Sequence, residues 1–158
     1  MPNVFNAAEV IDMGIEKERK RRDFYGLVAV KFNSKNMKDL FTKLRDWEDA
    51  HIKKFTEIRN SIEESEATES YHGELAFYIQ STVDDLLYDQ VSAEQFSKNV
   101  QNELNAIQYG IGFEKDAILF FNELLLYMAP HHKEKVRELI EEEKKHLVLL
   151  AELKLKYA

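Results

Sequence analysis

Apolar side chains recur at alternating spacings of three and four residues along four long segments of the chain. The segments cover residues 7–32, 37–62, 93–128 and 131–155. Because an α-helix turns by about 100° per residue, positions spaced in this way form one stripe on one face of a helix. The pattern predicts four long helices, which we number one to four, and hence an all-α fold.

Local signals at the ends of these segments also favour helices. The chain has only two prolines and five glycines, and residues typical of helix starts stand at the predicted beginnings. These start signals are Asn6 with Glu9, Asn36 with Asp39, Ser92 with Gln95, and Pro130. Between helices two and three, residues 63–70 are polar and acidic, and residues 71–87 suit a short extra helix. We expect one domain over residues 1–158, a four-helix bundle with a long crossover, which is the ferritin-like arrangement.

The centre of each apolar stripe is polar. Helices two and four each carry a glutamate and a histidine three residues apart, and helices one and three each carry one central glutamate. In chain order these residues are Glu18, Glu48, His51, Glu114, Glu143 and His146. A glutamate and a histidine at this spacing lie about 60° apart around the helix, so that both side chains can reach one metal ion.

Four buried carboxylates need compensating charge. Left charged and unpaired, each would be strongly destabilising, and the four would repel one another. Two divalent cations balance four negative charges, and two imidazoles add neutral nitrogen ligands. The same ligand set occurs in di-iron carboxylate bundles. We therefore predict that the six residues bind two metal ions. Iron is the first choice, and manganese or a mixed Mn/Fe centre is the alternative.

An internal repeat relates the two halves of this predicted site. A shift of 96 residues places Ile11 on Ile107, Gly14 on Gly110, and Glu18 on Glu114, and a shift of 95 residues places Glu48 on Glu143 and His51 on His146. Two helix pairs, each with half of the metal site, would then face each other about a pseudo-twofold axis.

Other histidines and glutamates have simpler interpretations. Glu69 and His72 share the Glu-x-x-His spacing but lie in the polar crossover without an apolar stripe, so we interpret them as coincidental. A solvated face is the alternative for the central motifs, since most helical glutamates are exposed. It would require all four helices to turn their large apolar side chains to water. We expect His131 and His132, at the start of helix four, to be exposed.

Three features leave two interpretations each. Arg22 takes the inward position that Ile118 fills in the repeat, so it either pairs with a ligand carboxylate or extends its charged end to the surface. Tyr25 lies two turns after the helix-one glutamate and either hydrogen-bonds a ligand carboxylate or packs in the core. Gly110 and Gly112 indicate either a close helix approach or a local bulge.

Composition excludes several classes of function. The chain has no cysteine, which excludes disulfides and thiolate metal sites and makes the reducing cytoplasm the expected location. The first residues lack a secretory pattern, and no apolar run is long enough for a membrane span. The formal charge is −7, and the positive residues are interspersed among acids. We expect neither nucleic acid nor membrane as a partner.

The motifs resemble the rubrerythrin-like branch of the ferritin-like superfamily. The resemblance is carried by residues 18–25, which end in Phe24 and Tyr25, by residues 114–121, and by the two motifs at residues 47–51 and 143–146. It covers most of helices one to four, and residues 63–90 match less distinctly. The resemblance implies a non-haem di-iron centre that reacts with hydrogen peroxide or dioxygen, with a role in oxidative-stress defence.

Two departures from the rubrerythrin pattern matter for function. Full-length rubrerythrins also carry a rubredoxin-like iron site built from cysteines, so here electrons are expected from a separate donor protein such as a rubredoxin. Rubrerythrins also commonly place another glutamate one turn after the helix-three ligand, where this chain has Ala117. We expect a homodimeric di-iron oxidoreductase of peroxidase or ferroxidase type. The alternatives are a ferritin-like iron-storage protein with ferroxidase chemistry only, and a metal-free structural bundle.

Overall fold

The computed structural model describes residues 5–62, 70–71 and 92–158. Its elements, numbered in chain order, are β1 (Phe5–Asn6), α1 (Ala7–Lys31), α2 (Lys35–Ser61), β2 (Ser70–Tyr71), α3 (Ala93–Asn99), α4 (Glu103–Leu124), a 3₁₀ turn (Leu125–Tyr127) and α5 (Pro130–Lys154). The two short strands pair antiparallel, with Phe5 opposite Tyr71. The prediction of an all-α bundle with a long crossover between its second and third long helices is confirmed. The extra helix predicted at residues 71–87 and the Glu69–His72 pair fall largely outside the described residues.

The four long helices form two pairs. α1 packs most extensively on α2, and α4 on α5, while smaller contacts of α1 with α4 and of α2 with α5 join the pairs. Two apolar clusters fill the interior, and each receives residues from all four long helices. One contains Ile11, Phe55, Phe121 and Leu139, and the other contains Phe24, Phe41, Ile107 and Leu150. Along every helix, the central polar residues lie between these clusters.

The capping signals are confirmed at three of four helix starts. The Asn6 side chain accepts from the backbone of Glu9 and completes a capping box, Ser92 accepts from the backbone of Gln95, and Pro130 begins α5. The signal at Asn36 is wrong, since α2 begins at Lys35 without a side-chain cap. The preceding Ser34 hydroxyl lies 2.6 Å from the Tyr157 hydroxyl instead.

Predicted helix three is interrupted. α3 ends at Asn99, and a new helix begins after Asn102, whose side chain accepts from the backbone of Asn105. Val100, between the two helices, is extended yet fully buried, and its carbonyl accepts from Lys31. The apolar period therefore continues across the break. For this reason the sequence pattern did not reveal the break. At the other end, the chain tightens into the 3₁₀ turn before α5.

The two histidines at the start of α5 differ in exposure. His131 is exposed as predicted, but His132 is 5% exposed, so the prediction for His132 is wrong. The position of His132, four residues before the buried Val136, extends the inward stripe of α5 by one turn. None of the described helices combines the length and the apolar character that a membrane crossing requires.

The sequence left two interpretations for Gly110, and the structure supports the close helix approach. A methyl group added there would lie 3.2 Å from both terminal methyl carbons of Leu150 and 3.5 Å from the Tyr25 ring. We expect Gly110→Val to lower the free energy of unfolding by about 1–3 kcal/mol more than Gly26→Val, because buried atoms must move apart. At Gly26 the nearest atom is the Arg45 Cδ, part of a flexible surface side chain. Urea unfolding of the two variants measures the difference, and equal losses would contradict the close approach.

Candidate metal centre

The six predicted side chains meet at the middle of the bundle, and all are buried. Glu18 comes from α1, Glu48 and His51 from α2, Glu114 from α4, and Glu143 and His146 from α5. The glutamates are fully buried, and the histidines are at most 5% exposed. The alternative of a solvated helix face is therefore wrong for these residues.

The side chains form two overlapping groups of possible ligands. One group is Glu18, Glu48, His51 and Glu143, and the other is Glu48, Glu114, Glu143 and His146. Within each group, one ligand atom per residue lies within 4.8 Å of the others. Glu48 and Glu143 belong to both groups, which is the position expected of carboxylates that bridge two ions. Glu48 of α2 and Glu143 of α5 would therefore be the residues that the two ions share.

Both histidines turn the Nδ1 atom toward the carboxylates. His51 Nδ1 lies 2.6 Å from Glu143 Oε1 and 3.6 Å from Glu48 Oε2. His146 Nδ1 lies 3.3 Å from both Glu48 Oε1 and Glu143 Oε2, and 3.7 Å from Glu114 Oε1. Each imidazole therefore has one nitrogen in position to bind a metal ion together with the shared carboxylates.

Burial and mutual repulsion shift the pKa of every carboxyl in this cluster. Burial raises the pKa of Glu18 well above the usual value, although the Arg21 guanidinium acts in the opposite direction. Burial and the charges of Glu143 and Glu48 raise the pKa of Glu114 in the same way. Burial would also raise the pKa of Glu48 and of Glu143. Close contacts with both histidines and with the protonated neighbours instead hold the Glu48 pKa well below its usual value and lower that of Glu143 to about 2. Burial therefore favours the neutral acid form of Glu18 and of Glu114 when no cation is bound.

The histidines show the opposite effect. Burial disfavours the imidazolium form, but the carboxylates around each ring outweigh burial. Contacts with Glu143 and Glu48 raise the pKa of His51 to about 10, and those with Glu114, Glu143 and Glu48 raise the pKa of His146 to about 12. In the metal-free protein, bound protons therefore supply positive charge that metal ions would bring.

Several buried oxygen and nitrogen atoms of this cluster have no hydrogen-bond partner among the described residues. They are Glu18 Oε2, both Glu48 oxygens, Glu114 Oε2, Glu143 Oε2 and His146 Nδ1. Buried polar atoms are normally hydrogen-bonded, and leaving one unsatisfied costs about 1–3 kcal/mol. Oxygen and imidazole-nitrogen donors arranged in two groups match the ligand preferences of Fe and Mn. The buried glutamates and histidines thus fit two metal ions.

Two side chains hold ligand residues from outside. His51 Nε2 donates to Glu142 Oε2 at 2.7 Å, which keeps its Nδ1 directed at the centre, and carboxylates commonly orient metal-binding histidines in this way. The Tyr25 hydroxyl donates to Glu114 Oε1 at 2.7 Å and lies 3.4 Å from the Gly110 carbonyl. Sequence reasoning found Tyr25 but missed Glu142, although Glu142 directly precedes a predicted ligand.

The arginine that reaches the buried cluster is Arg21 and not Arg22. Arg22 is partly exposed and donates to Asp49 and Asp23, so of its two interpretations the surface position is correct. Arg21, which the sequence analysis did not single out, is fully buried and donates to Glu18 Oε1, with its Nε 3.7 Å from Glu48 Oε2. The available signal was its spacing of three residues from Glu18, which places both residues on one face.

A pocket of about 300 Å³ opens above the two histidines. His51 and His146 line it together with Trp47, Lys54 and Lys145, among others. The Trp47 ring is partly exposed and stacks on the His146 ring, with centroids 5.0 Å apart, and His146 in turn stacks on His51 at 5.4 Å. This pocket gives small molecules a route from solvent to the histidine side of the buried cluster.

A comparison with solved structures identifies the fold. The chain superposes on the crystal structure of "a putative ferritin-like diiron-carboxylate protein" from Thermotoga maritima with a TM-score of 0.80, over 99% of both chains and at 21% sequence identity. The bundle therefore has the ferritin-like fold. No known family profile matches the sequence. No curated protein matches it either.

Proposed function

We propose that this protein is a di-iron oxidoreductase of rubrerythrin type that reacts with hydrogen peroxide or dioxygen. The observation that carries the proposal is the pair of overlapping ligand groups, with two shared glutamates and one histidine for each ion. The ferritin-like fold and the printed description of the Thermotoga maritima protein support it. Iron is proposed over manganese because the resemblance to rubrerythrins implies a di-iron centre, while the oxygen and nitrogen ligands suit both metals.

The chemistry depends on the bound metal, and the chain supplies its surroundings. Two ferrous ions would supply two electrons, and hydrogen peroxide that takes up these electrons and two protons becomes two molecules of water. The apolar clusters on both sides of the site exclude bulk water from the carboxylates. The pocket above His51 and His146 admits a molecule as small as peroxide. The Tyr25 hydroxyl holds Glu114 in place through its hydrogen bond.

The electrons would come from a separate protein. A chain without cysteine cannot build a rubredoxin-type iron site, so the proposal includes an external one-electron donor such as a rubredoxin. We further propose that the protein acts in the cytoplasm as a homodimer, in defence against oxidative stress or in iron handling.

Anaerobic loading with ferrous iron, followed by stopped-flow mixing with an oxidant, tests the proposed activity. We expect two iron ions per chain and reoxidation that is much faster with peroxide than with dioxygen. Equal or dioxygen-preferring rates, together with a large hollow shell in size-exclusion chromatography, would replace the proposal with iron storage and ferroxidase chemistry. Fewer than one iron ion per chain after loading would contradict both functions and favour a structural bundle.

A further inference from the structure

Trp47 is a large aromatic side chain that lies partly at the surface, beside the buried ligand groups. It directly precedes Glu48 on α2, and it is 37% exposed. Its indole stacks on the His146 ring, with ring centroids 5.0 Å apart and an angle of 9° between the planes. Trp47 therefore connects solvent to a candidate metal ligand through a single ring contact.

The internal repeat places a different residue at the position equivalent to Trp47. The shift of 95 residues that relates the two Glu-x-x-His motifs also relates Trp47 to Glu142. Each of these two residues meets the histidine of the opposite helix, since Glu142 accepts from His51 Nε2 at 2.7 Å and Trp47 covers the ring of His146. A carboxylate at this position is enough to orient a histidine ligand. The indole therefore adds something that the other half of the site lacks, an extended π system that reaches the surface.

The stacked rings form a short path from the surface to both ligand groups. His146 belongs to one group, and its ring also stacks on His51 of the other group, at 5.4 Å and with 12° between the planes. Electron transfer through a protein slows steeply as the gap between two redox groups widens, and stacked π systems shorten the gaps that an electron must cross. Tyr25 also contacts a candidate ligand, but it is fully buried and offers no contact with solvent.

We propose that electrons enter the metal centre at Trp47 and pass from its indole through His146 to the bound iron. The inference rests on the proposed function, because it requires iron that an external carrier reduces. Two ferric ions would each take up one electron and become ferrous, and two molecules of a reduced one-electron carrier, such as a rubredoxin-type iron protein, would each lose one. No bond forms or breaks, and the indole ends in its original state. Trp47 is a positioning residue in this role, because it acts through His146.

The chain offers a way to inject an electron beside Trp47, because it contains no cysteine. Lys43→Cys introduces one thiol four residues before Trp47, on the same face of α2 and in a cavity of about 350 Å³ that both residues line. The thiol takes a ruthenium bipyridyl label, and the labelled chain is loaded with iron and oxidised to the ferric form. A flash in the presence of ascorbate moves one electron from ascorbate to the excited label, and the label passes it to one ferric ion. The absorbance of the ferric centre measures the rate.

In this labelled chain, we expect Trp47→Leu to slow ferric reduction at least about tenfold, because leucine removes the stacked ring. Trp47→Phe keeps an aromatic ring, and its rate should lie within about threefold of that with tryptophan. Val148→Ala is the matched control and should leave the rate unchanged, since Val148 is exposed and lies about 200° from His146 around α5.

Reoxidation of ferrous iron by hydrogen peroxide provides the second measurement. Peroxide reaches the iron without passing an electron through the indole, so reoxidation should not slow in Trp47→Leu. A purely structural role of Trp47, in which the indole only holds His146 in place, predicts instead that reduction and reoxidation slow together. The two rates therefore separate electron entry from structural support.

Each outcome decides between the two proposals. If elemental analysis finds fewer than two iron ions per unaltered chain, both the proposed function and this inference fail. If two ions bind but Trp47→Leu reduces iron at the unaltered rate, or Trp47→Phe is slowed as much as Trp47→Leu, only the inference is overturned. The same holds if reduction and peroxide reoxidation slow together. Should Trp47→Leu fail to fold or to bind iron, Trp47→Met provides the non-aromatic variant for the same comparison.

Discussion

Replacing Glu48 by glutamine is expected to abolish binding of both metal ions, whereas replacing Glu114 should remove only one. Glu48 belongs to both ligand groups, and Glu114 belongs to the group that contains His146. Glutamine keeps the size of the side chain but removes the negative charge that attracts the ions. Glu143→Gln should behave like Glu48→Gln, and Glu18→Gln like Glu114→Gln, because each pair occupies equivalent places in the two groups.

Elemental analysis after loading and dialysis counts the ions bound to each variant. Trp47 provides a second measurement, since it is the single tryptophan and its ring stacks on His146. Its fluorescence should change on loading of the unaltered protein and not of Glu48→Gln. Glu141→Gln is the matched control on α5, because Glu141 is exposed and pairs with Lys144. Two ions retained by Glu48→Gln would show that this carboxylate does not bridge the site.

The four long helices and the six converging side chains could be predicted because both follow from one period. A helix with one apolar stripe must turn that stripe toward the interior of the bundle. When four such stripes are polar only at their centres, their central residues come together. The interruption between α3 and α4, at residues 100–102, could not be predicted in this way. Val100 remains buried through the break, so the apolar pattern gave no sign of the extended residue.

The buried Arg21 was missed for a geometric reason. Residues 19–22 are all basic, and the residues three and four positions after Glu18 both lie near its face of the helix. The helical period alone therefore could not distinguish Arg21 from Arg22. The repeat favoured Arg22 through its partner Ile118. In the structure Ile118 is only partly buried, whereas Ala117 is fully buried, so the inward position in α4 is one residue earlier than expected. A hydrophobic pattern cannot reveal a buried arginine whose equivalent position in the repeat is a buried alanine.

Ion pairs and hydrogen bonds hold the six central side chains together. The raised pKa values favour the imidazolium forms of His51 and His146, which contact Glu143 and Glu48, and the neutral forms of Glu18 and Glu114. The same oxygen and nitrogen atoms would bind the metal ions. Protons and metal ions then compete for one set of ligands, and pH should act on the two forms in opposite directions.

The stability of the metal-free protein is expected to fall as pH rises from about 6.5 toward 10. Unfolded histidine titrates near pH 6.5. The folded-state pKa is about 10 for His51 and about 12 for His146. Their stabilising contribution is thus complete below pH 6.5 and is lost as pH increases toward the folded values, by at most about 1.4 kcal/mol per pH unit for each histidine. The raised pKa values of Glu18 and Glu114 act in the same direction from lower pH.

Metal binding should become stronger over the same pH range, because the imidazolium forms of both histidines must lose a proton to become ligands. The raised pKa values of Glu18 and Glu114 act in the same direction. Thermal unfolding at pH 6.5, 7.5 and 8.5, with chelator and with Mn²⁺, measures the prediction. The gap between the two melting temperatures should widen with pH. Mn²⁺ titrations in buffers of different ionisation enthalpy should show net release of protons near pH 7. A metal-free protein that is more stable at pH 8.5 than at pH 6.5, or metal binding without proton release, would contradict the protonated cluster.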